Sequence, residues 1–255
     1  MPTLKLNTTR AERTPRPRLT LSASLRLSLV VPWLDRLQPS SVLEAGCGVG
    51  GMAVHLAKHH QYRGYEPDRQ SWSIARQRLE GDPDAQVINS VVPAIPDRSF
   101  DMVCAFEVLE HVEDDDEALR TWLRWLSPGG HLVISVPAHP HRFGPCDRAV
   151  GHCRRYSRES LVGVLADAGL EVLAIETWGM PMGYLLEGLR NLLVRLHRGA
   201  EVGTEGSGRL FQPTRTTGLI NAIALPASIM QRPFKDTNWG TGFVAVARAN
   251  RSPTR

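Results

Sequence analysis

A glycine-rich loop between two acidic residues is the part of this sequence whose residue types most directly suggest chemistry. Val42 and Leu43 are typical of the end of a buried strand, and apolar residues after the loop recur as in a helix packed on a sheet. The glycines between them are Gly46, Gly48, Gly50 and Gly51. Glycine lets a backbone turn sharply and lie directly against a ligand. A strand, a glycine loop and a helix in this order are typical of a unit that binds a nucleotide-like cofactor.

The acidic residue before the loop favours a cofactor that carries positive charge. Gly46, Gly48 and Gly51 also fit the dinucleotide pattern G-x-G-x-x-G, with Glu66 as the later acid. A dinucleotide, however, brings a pyrophosphate to the helix N-terminus, where a nearby carboxylate such as Glu44 is unfavourable. Glu44 suits the amino and sulfonium groups of S-adenosylmethionine. A nicotinamide-dependent oxidoreductase remains the enzymatic alternative.

The stretch E-A-G-C-G-V-G at residues 44–50 resembles the first motif of the class I S-adenosylmethionine-dependent methyltransferases, E/D-x-G-x-G-x-G. The resemblance extends over about residues 40–178, including the strand-four segment and the S-P-G-G-x-L turn. It implies cofactor contacts from Glu44, Ala45, Gly46, Cys47, Gly48, Gly50, Glu66, Pro67, Asn89, Ser90 and Phe106. Glu66 is expected to accept hydrogen bonds from the ribose hydroxyls. Many relatives have an acid after strand three, whereas this chain has Asn89, whose amide oxygen can accept from the adenine amine.

Histidines in two loops are the candidates for contact with the methyl acceptor. Methyl transfer mainly requires the two reactants to be held in line, with a base if the acceptor must lose a proton. His111 follows the predicted fourth strand, and hydrogen bonding to the backbone is its alternative role. The segment after the fifth strand resembles a bacterial methyltransferase subgroup with a G-H-x-R-R-Y element, here residues 151–156. We predict His152, His111 and Tyr156 as catalytic, with Tyr156 one turn beyond His152 if that segment is helical.

No metal site is predicted from the sequence. The histidines and cysteines that suggest zinc are His139, His141, Cys146, His152 and Cys153, but their spacings match no closed structural zinc site. The acidic residues 113–117 are typical of a first helical turn, where they complement the helix dipole. They lack the spacing of a calcium loop.

Strand and helix patterns alternate along the chain, which predicts an α/β fold. The resemblance specifies a Rossmann-like, seven-stranded, mostly parallel sheet with an antiparallel last strand. Strand two is expected to end at Glu66, and the helix after residue 113 is expected to be stopped by Pro128, Gly129 and Gly130. We predict one methyltransferase domain over residues 21–255, preceded by a flexible basic arm over residues 1–20.

A helical cap is predicted at residues 179–238, between strands six and seven. Its apolar stripe at helical spacing consists of Met182, Leu185, Leu186, Leu189, Leu192, Leu193 and Leu196, opposed by Glu187, Arg190 and Arg195. A second apolar segment is expected to be broken by Pro226. We expect the cap to pack on the core, and the alternatives are that it lines an apolar acceptor pocket or contacts a membrane surface.

Composition limits the other functional classes. The chain has 255 residues, 42% of them hydrophobic, and a pI near 9.1. Residues 1–26 hold six basic residues and one acid, so the basic excess comes from that segment and the remainder is nearly neutral. This distribution argues against nucleic acid as a partner. The four cysteines have no paired spacing, which predicts reduced thiols and a cytoplasmic location.

The sequence thus predicts a methyltransferase that uses S-adenosylmethionine to modify a small-molecule acceptor, at oxygen or nitrogen. The alternatives are a nicotinamide-dependent oxidoreductase and a non-catalytic S-adenosylmethionine-binding protein. The oligomeric state is not predicted.

Overall fold

A computed structural model describes residues 19–196 and 217–250 of the chain. The predicted basic arm therefore lies outside the described residues except for its last two positions, and so does the middle of the predicted cap. Within the described residues, no helix has the length and apolar character needed to cross a membrane.

Seven strands form one sheet, in the order β3-β2-β1-β4-β5-β7-β6. The strands are β1 (Ser41–Ala45), β2 (Gln61–Glu66), β3 (Ala85–Asn89), β4 (Phe100–Phe106), β5 (Leu126–Pro137), β6 (Leu170–Trp178) and β7 (Gly242–Ala249). Strands β1 to β5 pair in parallel, and β7 runs antiparallel to both β5 and β6. This confirms the predicted mostly parallel α/β sheet with its antiparallel last strand.

Helices cover both faces of the sheet. They are α1 (Leu21–Leu37), α2 (Ala53–Leu56), α3 (Arg69–Arg78), α4 (Asp115–Trp125), α5 (Pro145–Val150), α6 (Arg158–Asp167), α7 (Met182–Leu196) and α8 (Thr217–Gln231). One buried cluster joins the sheet to α4 and α6, and a second joins it to α1 and α2. Because β1 and β4 are neighbours, the strand order reverses between them. A crevice at the carboxyl ends of strands is the usual ligand site at such a reversal.

The acidic run after β4 begins a helix, as predicted. Asp114 caps α4 by accepting a hydrogen bond from the Glu117 amide at 2.8 Å. The helix ends at Trp125, so the prediction that Pro128 and the following glycines stop it was wrong. Leu126 already pairs with Phe100 of β4, and this strand pairing ends the helix three residues before the proline.

Most of the predicted leucine stripe of α7 lies on the exposed side of the helix. Its leucines face solvent: Leu185 is 68% exposed, and Leu189, Leu192, Leu193 and Leu196 are 40–69% exposed. The polar face packs inward because Glu187 pairs with Arg142 at 2.6 Å and with Arg155 at 2.7 Å. The expectation that the leucine stripe packs on the core was therefore wrong.

The second apolar segment of the cap forms one helix. Helix α8 continues through Pro226, so the predicted break does not occur. Gln231 at its end donates to the Leu25 carbonyl of α1 at 2.8 Å and accepts from the Gly179 amide at 3.0 Å. This buried side chain connects α8 to α1 and to the end of β6.

Candidate active site at the reversal of strand order

The glycine loop after β1 has the backbone geometry that only glycine adopts easily. Gly46, Gly48 and Gly50 have φ values of +62°, +55° and +77°. A Cβ on Gly46 would lie 2.8 Å from Cγ2 of Val108, so this glycine lets the loop after β4 approach. A Cβ on Gly48 would meet no described atom within 4 Å, which leaves open space beside the loop.

Glu66 at the tip of β2 holds the glycine loop in place. Its carboxylate accepts hydrogen bonds from the backbone amides of Gly48 at 2.8 Å and Asp68 at 3.0 Å. The Glu66 side chain is only 8% exposed.

Glu44 at the end of β1 is buried rather than presented as a free carboxylate. It is 2% exposed and accepts a hydrogen bond of 2.6 Å from the Tyr62 hydroxyl. Burial raises the pKa of Glu44 to about 8. The expected ionised carboxylate is therefore protonated near neutral pH in the protein alone. A cation beside it would favour ionisation.

Two hydrogen bonds to backbone carbonyls fix the orientation of the Asn89 side chain at the end of β3. Its side-chain amide donates to the carbonyls of Glu66 and Pro67, both at 2.9 Å, which leaves the amide oxygen as the acceptor. Two valines just beyond it, Val91 and Val92, are 74% and 69% exposed. Neither valine was predicted as a site residue. Two consecutive apolar residues directly after a strand end are a sequence pattern from which they could have been chosen as candidates.

The loop after β4 turns back over the end of β1. Phe106 is buried at 7% exposure, and Glu107 after it has a φ of +57°. The Glu107 carboxylate accepts from the Ser135 hydroxyl at 2.9 Å and lies 3.4 Å from the guanidinium of Arg26 in α1. The first helix thus also contributes to this edge of the sheet, which the sequence did not predict.

The structure brings together two of the three predicted catalytic residues. The rings of His111 and His152 meet edge to face with centroids 4.7 Å apart. Nδ1 of His111 lies 3.2 Å from the Gly151 carbonyl, and Nδ1 of His152 lies 2.9 Å from Oδ1 of Asp147. Burial, with the neighbouring His152, lowers the pKa of His111 to about 4. The backbone contact predicted as the alternative role of His111 is present, whereas its catalytic role stays a prediction.

Glu110 completes this group and was missed by the sequence analysis. Its side chain is fully buried, and its Oε1 lies 3.7 Å from Nε2 of His152. Burial and the nearby Glu107 raise the pKa of Glu110 well above its ordinary value. Glu110, His111 and His152 are the one set of three potential metal ligands close together in residues 19–196 and 217–250. The five residues considered for zinc share only His152 with it.

Asp147 anchors the second histidine. Besides His152, its carboxylate accepts two hydrogen bonds from Arg155, at 2.8 and 2.7 Å, and one from the Gly144 amide at 2.7 Å. Although burial opposes it, the hydrogen bonds from His152 and Arg155 hold the pKa of Asp147 below its ordinary value. Asp147 is therefore a stable anionic partner for the His152 ring.

Tyr156 has a different environment from the histidines. Residues 152–155 are not helical, so Tyr156 does not lie one helical turn beyond His152 as predicted; it forms a bridge with Ala138. The tyrosine is 2% exposed, and its hydroxyl donates to Asp115 at 2.9 Å. These contacts tie the segment to β5 and to the start of α4.

Comparison with known proteins agrees with this geometry. A family model described as a methyltransferase domain matches residues 16–175. Norajmaline N-methyltransferase of Rauvolfia serpentina is 35% identical over 109 residues, which are 40% of this chain and 37% of the relative. A ubiquinone biosynthesis O-methyltransferase of Alkalilimnicola ehrlichii is 31% identical over 44% of this chain and 47% of the relative. The chain thus spans less than half the length of these curated relatives.

Solved structures share the fold at low sequence identity. The 1,6-didemethyltoxoflavin-N1-methyltransferase of Burkholderia thailandensis superposes with a TM-score of 0.54 at 16% identity, covering 90% of this chain and 79% of the other. A (4+2)-cyclase, SpnF, superposes with a TM-score of 0.58 at 20% identity, covering 93% and 98%. By its family match and its sheet, the chain belongs to the methyltransferase-domain family, with the class I S-adenosylmethionine-dependent methyltransferase fold.

Proposed function

We propose that this protein transfers a methyl group from S-adenosylmethionine to an oxygen or nitrogen atom of a small-molecule acceptor. The observation that carries the proposal is the arrangement of Glu44 and Glu66 on neighbouring strand tips, on either side of a loop with three positive-φ glycines. This edge of the sheet is where the strand order reverses, and family membership supports the same reaction.

The residues at this edge suit the three parts of the cofactor. Glu66 accepts from the ribose hydroxyls, and the Asn89 oxygen accepts from the adenine amine. Exposed Val91 and Val92 provide apolar surface for the adenine ring, a contact added to those predicted from sequence. Glu44 stabilises the ammonium and sulfonium groups, because a cation beside it restores its ionised form. Pro67, Ser90 and Phe106 shape the remaining walls.

The acceptor binds on the side of His111 and His152. When bound, S-adenosylmethionine supplies a methyl carbon whose bond to sulfur breaks as its bond to the acceptor forms, and the sulfur leaves as a neutral thioether. The histidine rings fix the acceptor atom, since each ring has its Nδ1 engaged and its Nε2 remaining for a ligand. Tyr156 supports this segment through Asp115 rather than through contact with the acceptor.

The proposal extends to the chemical character of the acceptor and to the role of the cap. Helix α7 displays a row of exposed leucines that suits an apolar acceptor or the surface of a membrane. Its inward face is linked to the histidine site through Glu187 and Arg155. Substitutions in the exposed leucine row are therefore expected to affect how the acceptor binds.

The test measures methyl transfer to any acceptor that is present in a mixture of small molecules. Purified protein is incubated with S-adenosylmethionine carrying a deuterated methyl group and with a small-molecule extract. We expect a species that gains one labelled methyl group, together with an equal amount of S-adenosylhomocysteine. Tight S-adenosylmethionine binding without S-adenosylhomocysteine would favour a non-catalytic binding protein. Affinity for NAD and none for S-adenosylmethionine would instead support the oxidoreductase alternative.

A further inference from the structure

Three electron-pair donors meet at the loops after β4 and β5. The Gly151 carbonyl only accepts hydrogen bonds, so the hydrogen of the His111 ring lies on Nδ1 and the lone pair on Nε2. Asp147 is likewise an acceptor for His152, which leaves the lone pair of that ring on its Nε2. Each histidine therefore offers one free nitrogen.

Glu110 lies beside these rings without any compensating hydrogen bond, with its Oε1 3.7 Å from Nε2 of His152. It is 0% exposed, and neither carboxylate oxygen has a hydrogen-bond partner in the described part of the chain. The nearby Arg26 pairs with Glu107 rather than with Glu110. An uncompensated buried carboxylate is costly unless it is paired with a cation or coordinates a metal. The ligand atoms of Glu110, His111 and His152 all lie within 4.8 Å of one another.

The groups behind the two histidines are those that support metal ligands in other proteins. A metal-bound histidine usually donates its second ring N–H to a carboxylate or a backbone carbonyl. Asp147 and the Gly151 carbonyl supply one of each. Asp147 is in turn held by Arg155 and by the Gly144 amide. A hydrogen bond of 2.7 Å from the Cys153 amide to the Glu110 carbonyl joins the two loops.

We propose that Glu110, His111 and His152 bind one divalent transition-metal ion. Two imidazoles and one carboxylate favour ions such as Zn²⁺, Fe²⁺ or Co²⁺ over Mg²⁺ or Ca²⁺, which prefer oxygen ligands. With metal–ligand bonds of about 2.0 to 2.2 Å, the three ligand atoms close from within 4.8 Å of one another to roughly 3 to 3.5 Å apart. Three protein ligands leave coordination positions open for a further ligand.

The ligand at the open coordination position determines the role of the metal in the reaction. This role rests on the proposed methyl transfer. A hydroxyl oxygen of the acceptor coordinates the ion, which lowers the pKa of the hydroxyl, and its proton passes to solvent. The oxygen then forms a bond to the methyl carbon as the carbon–sulfur bond breaks. In this arrangement His152 is a ligand and has no lone pair left to accept a proton. The proposal thus selects oxygen, rather than nitrogen, as the methylated atom.

Metal binding is testable without any acceptor. Metal-stripped full-length protein is titrated with Co²⁺, followed by visible absorption, and bound Zn²⁺ is counted by mass spectrometry after dialysis. We expect one equivalent of either ion in the wild type. Glu110→Gln and His152→Gln should each weaken binding at least tenfold, and Asp147→Asn about 10- to 100-fold. His141→Gln is the control, because His141 is exposed in the same region.

The outcomes separate this proposal from the proposed function. Failure of the wild type to bind either ion, or equal losses in His141→Gln and Glu110→Gln, overturns the metal site. If a variant is less stable in thermal unfolding, the stabilisation by added Zn²⁺ is compared between proteins. Zn²⁺ should stabilise the wild type and should not stabilise Glu110→Gln if these residues bind the metal. If the protein binds one equivalent of metal but forms no S-adenosylhomocysteine, the metal site is supported and the methyltransferase proposal is contradicted. Turnover that is the same in metal-free and metal-loaded protein contradicts the catalytic role of the ion.

Discussion

Nδ1 of His152 lies 2.9 Å from Oδ1 of Asp147, and this contact leaves Nε2 of the ring 3.7 Å from Oε1 of Glu110. The same Asp147 carboxylate is held by Arg155, whose guanidinium also reaches Glu187 of α7 at 2.7 Å. One buried arginine therefore connects the histidine site to the helix that displays the exposed leucines.

Removing that arginine should strongly destabilise the protein. Arg155→Met leaves Asp147, which is 2% exposed, without its bidentate partner, and leaves Glu187, which is 12% exposed, with Arg142 alone. Breaking a buried pair in this way typically costs about 3 to 5 kcal/mol of unfolding free energy, measured by denaturant titration. The control is Arg248→Met, whose partner Glu171 is 50% exposed, and it should cost less than about 1 kcal/mol. Equal costs in the two variants would contradict the role of Arg155.

Glu66→Ala should weaken S-adenosylmethionine binding. The variant removes the proposed acceptor of the ribose hydroxyls and the acceptor that positions the Gly48 amide. The expected loss is roughly 1 to 3 kcal/mol of binding free energy by calorimetry. Glu80→Ala, at an exposed position after α3, should leave affinity unchanged. An unaltered affinity in Glu66→Ala would remove Glu66 from the cofactor site.

Cofactor binding should release a proton through Glu44. Burial raises the pKa of Glu44 to about 8 in the protein alone, so the group is mostly protonated near neutral pH. The positive charge of the cofactor lowers this pKa, and up to one proton leaves on binding at about pH 7. Calorimetry in two buffers of different ionisation enthalpy measures the release. The other groups around Glu44 are Tyr62, Cys47, Cys104, Glu66 and Arg26. The same release in Glu44→Gln would assign the proton to one of them.

The same pKa predicts how stability depends on pH without cofactor. Between the ordinary value of 4.5 and about 8, unfolded protein has released the Glu44 proton while folded protein retains it. The free energy of unfolding contributed by this group therefore falls as pH rises through that window. Denaturant titrations should show a shallower fall in Glu44→Gln. A pH dependence identical to that of wild type would contradict the raised pKa.

His152→Gln should lower turnover while cofactor affinity stays at the wild-type value. Loss of a group that acts directly on the acceptor typically lowers the rate by about 10² to 10⁴. Loss of bound metal together with turnover supports the ligand role, whereas lost turnover with metal retained supports a proton-accepting role. His141→Gln should behave as wild type. A folded His152→Gln variant with full turnover would exclude His152 from the acceptor site.

The exposed row on α7 should tolerate polar substitution. A triple change of Leu185, Leu189 and Leu192 to Gln replaces side chains that are 68%, 53% and 52% exposed. It should alter the free energy of unfolding by less than about 1 kcal/mol, because exposed positions contribute little. A raised KM for the acceptor, or lost binding to phospholipid vesicles, would identify what the row contacts. A large loss of stability would show instead that the row is buried in solution.

Local patterns in the sequence were sufficient to predict much of the fold. Alternating strand and helix signals, the glycine loop after Leu43 and the acid at the tip of β2 each depend on neighbouring residues in the chain. Glycine at positive φ and a carboxylate after a strand are requirements of backbone geometry and charge. They can therefore be read without knowledge of distant contacts, and the seven-stranded, mostly parallel sheet with its antiparallel last strand followed from the family resemblance.

The environment of each side chain was decided only by tertiary structure. The cap was predicted to pack on the core, but most leucines of α7 are exposed, and Glu187 packs inward in ion pairs with Arg142 and Arg155. Glu44 was predicted as a charge, and burial beneath the glycine loop makes it a neutral acid near pH 7. Glu110 and His152 are 42 residues apart and come together because β4 and β5 end at the same edge of the sheet. Local sequence determines which conformation a segment prefers, whereas burial and charge pairing depend on residues that only the folded chain brings into contact.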